Sequence, residues 1–129
     1  MSEKIILVSY PDDTLLDGVR IFLYDLEQSQ TEIISKSIVS LEFDTNIVIY
    51  SVKSSDDIRY SLDKYQKSQI CIFNAESENQ TMVGFLSAKP NSMYFGNLRC
   101  LGEVNDSVIN DTELCKRKLE RMIIKYGKF

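Results

Sequence analysis

At 129 residues, 43% apolar and 26% charged, the chain has the size and composition of one globular domain, spanning residues 1–129. Nineteen acidic against fifteen basic residues give a net charge of −4, which makes nucleic acid an unlikely partner, since general binding needs a cationic surface. There is no histidine, which removes Ser–His and Cys–His nucleophilic catalysis, histidine metal sites and the usual neutral-pH proton shuttle.

The N-terminal stretch MSEKIILVSYPDD has no long apolar segment and no small-residue cleavage site, so no signal peptide is expected. Lys4 to Tyr10 reads as a first strand. Pro11 and Gly18 punctuate PDDTLLDG. Val19 to Tyr24, VRIFLY, is a second strand, rich in β-branched and aromatic residues. Only PDDTLLDG joins the two, short for a crossover of about a dozen residues. They form an antiparallel pair, or DTLLDG is a helical turn. From Asp25 the period becomes helical, with Leu26, Ile33, Ile34, Ile38 and Leu41 in one stripe.

Asn46 to Val52 is a third strand, and Ile58, Leu62 and Tyr65 mark a second helix. Gln69 to Phe73 is a fourth strand. Met82, Val83, Phe85 and Leu86 mark a third helix, stopped near Lys89 by Pro90. SMYFGNL, from Ser92, is a short fifth strand. Arg99 to Asn110 has no regular period. A last helix carries Leu114, Cys115, Leu119, Met122, Ile123 and Tyr126 in its stripe. No apolar run approaches the roughly 18 residues needed to cross a membrane. Three widely spaced cysteines, Cys71, Cys100 and Cys115, suggest reduced thiols and a cytoplasmic location. With no CxxC pair, a zinc site is not expected.

Apolar strands alternating with helices predict an α/β fold: a three-layer sandwich, flavodoxin-like or Rossmann-like, with a five-stranded, mainly parallel sheet and four helices. In such folds ligands bind at the carboxyl ends of the strands. Polar pairs three residues apart recur at the helix starts: Asp25 with Gln28, Ser54 with Asp57, Ser77 with Gln80, and Asn110 with Glu113. That spacing predicts capping boxes, so the acidic stretch NAESENQ, residues 74–80, reads as a strand-to-helix junction. Asp25, Glu27, Asp56, Asp57, Glu76 and Glu78 at these junctions suit helix dipoles and repel phosphate. No glycine-rich phosphate motif is present. Asp12, Asp13 and Asp25 invite comparison with the acids of receiver domains, but eleven residues between Asp13 and Asp25 leave no room for the helix and strand that separate those acids. No catalytic, metal-binding or cofactor-binding residue is assigned.

What the scaffold leaves unexplained lies near the C-terminus. Residues 110–129 hold six basic and three acidic residues, a net +3, so the remaining chain carries −7. The segment PNSMYFGNLRCLG adds Tyr94, Phe95 and Arg99. Tyr and Arg are enriched in interface hot spots. Tyr94, Phe95, Arg99, Arg117, Lys118, Arg121 and Lys125 are therefore the candidate partner-binding residues.

The phrases VRIFLYDLEQSQ, ICIFNAESENQTMVGFLSAKPNS and MYFGNL resemble small uncharacterised proteins of large tailed bacteriophages. No activity is known for that group, so no residue role follows. The resemblance implies a viral setting in the host cytoplasm. The expected function is non-enzymatic: binding of a protein partner, or self-assembly into a homo-oligomer. The alternatives are a receiver-like or flavodoxin-like enzyme or ligand-binding domain using strand-end carboxylates, and a structural virion subunit.

Overall fold

The computed structural model describes residues 5–8, 19–41, 47–64, 69–96, 108–109 and 112–126. Their elements run β1 (Ile5–Val8), β2 (Val19–Tyr24), α1 (Gln28–Val39), β3 (Ile47–Val52), α2 (Ser55–Lys64), β4 (Gln69–Asn74), α3 (Gln80–Ser87), β5 (Ser92–Phe95), β6 (Val108–Ile109) and α4 (Thr112–Tyr126). They form one sheet in the order β1-β3-β2-β4-β5-β6, and every pairing is parallel. With β1 set aside, this is the 2-1-3-4-5 order of flavodoxin-type doubly wound sheets.

Two expectations are corrected. Among the described residues the sheet has six strands rather than five; β6, two residues long, falls in the stretch without a readable period. The first two strands are not an antiparallel pair. Both lie beside β3 and parallel to it, Ile5 and Val19 both opposite Ile47. The first strand ends at Val8 rather than Tyr10, so ten residues separate it from β2, close to the dozen that a crossover needs.

Each central strand is buried along nearly its whole length, and its alternation sorts side chains between two cores. Val19, Ile21, Leu23, Ile47, Ile49, Ile70, Ile72, Met93 and Phe95 meet Ile34 and Ile38 of α1 and Cys115, Leu119 and Ile123 of α4. On the other face Phe22, Tyr24, Val48, Tyr50, Val52, Cys71, Phe73 and Tyr94 meet Ile58 and Leu62 of α2 and Met82, Val83 and Leu86 of α3. The sandwich therefore has three layers, with α1 and α4 on one side and α2 and α3 on the other. The second core is aromatic. Register partners Phe22 and Tyr50 stack at 5.0 Å, and Phe73 and Tyr94 meet tilted at 5.4 Å, within the range of favourable ring pairs.

The helix starts depart from the expected caps. Helix α1 begins at Gln28 with Glu27 as its N-cap, two residues later than the expected Asp25 cap. The Glu27 N–H donates to Gln30 Oε1 at 2.9 Å. Helix α2 follows the expectation: Ser54 Oγ accepts from the N–H groups of Asp56 and Asp57 at 3.2 and 3.3 Å. Helix α3 is capped by Asn79, whose Oδ1 accepts from the Met82 N–H at 3.1 Å. Asn110 lies outside the described residues.

Candidate functional site

In a 2-1-3-4-5 sheet the strand order reverses at one place, where the connections from two neighbouring strands lead away from each other along the sheet, and the crevice opens there. Here that place is between the carboxyl ends of β2 and β4. After Tyr24, Asp25 takes φ 54°, a left-handed conformation that Asp tolerates better than most residues. Its N–H donates to the Val52 carbonyl at 3.0 Å, tying the end of β2 to the end of β3. Asp25 is thus the bend that turns the chain into α1, and not the helix cap. Asp12 and Asp13 lie outside the described residues.

The loop after β4 bonds to itself. Asn74 Oδ1 accepts from the Glu76 N–H at 3.0 Å, and the Asn74 carbonyl accepts from the Ser77 N–H at 3.1 Å. Ser77 Oγ accepts from the Asn79 N–H at 3.3 Å, and Gln80 Nε2 reaches back to the carbonyls of Ala75 and Ser77. The Ala75 N–H extends the ladder to the Phe95 carbonyl at 2.8 Å. Beyond Phe95, Gly96 sits at φ 88°, with the Glu76 side chain packed where a β-carbon would stand. Asn74 to Gln80 is therefore a strand-to-helix junction, but Ser77 serves its turn while Asn79 caps the helix.

The loop also meets the end of β2. Ser77 is buried, and its side chain and that of Asn79 hydrogen-bond with Tyr24. Burial and the charge of Asp25 push the Tyr24 hydroxyl above its usual range, against the smaller opposite pull of Asn79 and Ser77. It keeps its proton at neutral pH. The surrounding carboxylates, Asp25, Glu27, Glu76 and Glu78, repel anions, and Tyr24 and Ser77 beside them are buried. Among the described residues no group of three or more Cys, Asp or Glu could hold a metal ion.

The candidate partner residues divide. Tyr94 and Phe95 are 1% and 5% exposed, a correction to their reading as surface residues. β5 lies between β4 and β6, so one ring enters each core. Arg99 lies outside the described residues. Arg117, Arg121 and Lys125 are exposed on α4 and Lys118 is half-buried. The opposite stripe of α4, Cys115, Leu119 and Ile123, is buried in the first core. Ile124 stands among the cations with 55% of its surface exposed. Its exposure was readable: it falls outside the stripe of Leu114, Cys115, Leu119, Met122, Ile123 and Tyr126.

A second surface feature joins α2 to α3. Arg59 and Lys89 lie over the Phe85 ring, 5.1 and 5.4 Å from its centroid. The four-residue spacing of Phe85 and Lys89 was visible in the sequence; Arg59 comes from another helix and was not. Both cysteines among the described residues are buried thiols outside any disulfide. Burial pushes the Cys71 thiol up to about 12, against a weaker opposite effect of Lys89. Among the described residues no helix is long and apolar enough to cross a membrane. No family model matches the chain, and no curated protein and no solved structure is similar to it.

Proposed function

We propose that the protein acts without catalysis, by binding a protein chain of complementary acidic surface through the outward face of α4. The observation that carries this reading is the composition of that face: Arg117, Arg121 and Lys125 are exposed around Ile124 and outnumber the exposed Glu113 and Glu120, on a chain whose net charge is −4. An apolar side chain within a surface of net positive charge supplies both contact and steering, and the steering weakens as salt rises. The ligand-binding alternative ranks second because Tyr24 and Ser77, at the carboxyl ends of β2 and β4, are buried and bonded to one another rather than presented to a ligand.

On the sequence resemblance, the setting is a phage-infected cell and the role that of an accessory or host-interaction protein. A virion subunit is the alternative, decided by whether the protein is found in purified particles. The binding reading is tested by affinity capture with the wild-type chain and with Arg117→Glu/Arg121→Glu, at low and high salt, with circular dichroism to confirm folding. Acidic partners held by the wild type at low salt should be released by salt and absent with the variant. Equal capture by both proteins refutes the α4 interface.

A further inference from the structure

We draw no further inference here: the strongest candidate, the surface patch of α2 and α3 in which Arg59 and Lys89 lie over the partly exposed Phe85 ring and Tyr60 is exposed, carries nothing because Asp56 and Asp63 are exposed on the same helix as Arg59, so its charge selects no partner and nothing in the structure shows what covers it.

Discussion

Gly96→Ala probes the closest approach at the carboxyl end of the sheet. At φ 88° a residue with a β-carbon meets its own backbone, at a cost of about 1–2 kcal/mol. The new methyl would also stand 2.9 Å from Glu76 Oε2, 3.0 Å from Cγ and 3.1 Å from Cδ, all inside van der Waals contact. The Glu76 side chain is exposed and can swing away, so its displacement should add about 0.5–1 kcal/mol. The total is about 2 kcal/mol. With a urea slope of about 1–3 kcal/mol per molar, that lowers the unfolding midpoint by about 1 M. A cycle with Glu76→Ala separates the two parts. In the Glu76→Ala background the Gly96→Ala cost should fall to the backbone share alone. A Gly96→Ala midpoint unchanged from wild type would refute the left-handed geometry, and a cost equal in both backgrounds would refute the contact with Glu76.

Two further outcomes follow from the polar loop and the buried thiol. Asn79→Ala should cost about 1 kcal/mol by removing the acceptor of the Met82 N–H, and Asn79→Asp should cost much less; amide exchange at the start of α3 should quicken only in the first. Cys71 holds its proton in the folded chain up to about 12, against 9.0 for an unperturbed thiol, so its contribution is complete below about pH 9. It is lost as pH rises from there toward the folded value, by up to about 1.4 kcal/mol per unit. The Tyr24 hydroxyl, also raised, adds to that loss at still higher pH. Urea midpoints from about pH 8 to about pH 11 should fall steeply for wild type and less for Cys71→Ala; parallel slopes would remove Cys71 from the account.

What the sequence disclosed depended on the range of the interaction. The runs VRIFLY and QICIFN carried their own evidence for buried parallel strands, because residues of both parities are apolar. The helical stripes did the same for the two covering layers. The caps were less distinct. Asp25 with Gln28 and Glu27 with Gln30 satisfy the same spacing, and the left-handed turn at Asp25 decided between them. Ser77 and Asn79 are both side-chain acceptors near the start of α3, and the hydrogen bond to Met82 falls to the nearer one. Pairing between distant strands was not readable. β1 lies beside β3 rather than beside β2, and Tyr94 and Phe95 became interior residues because helices cover both faces of β5.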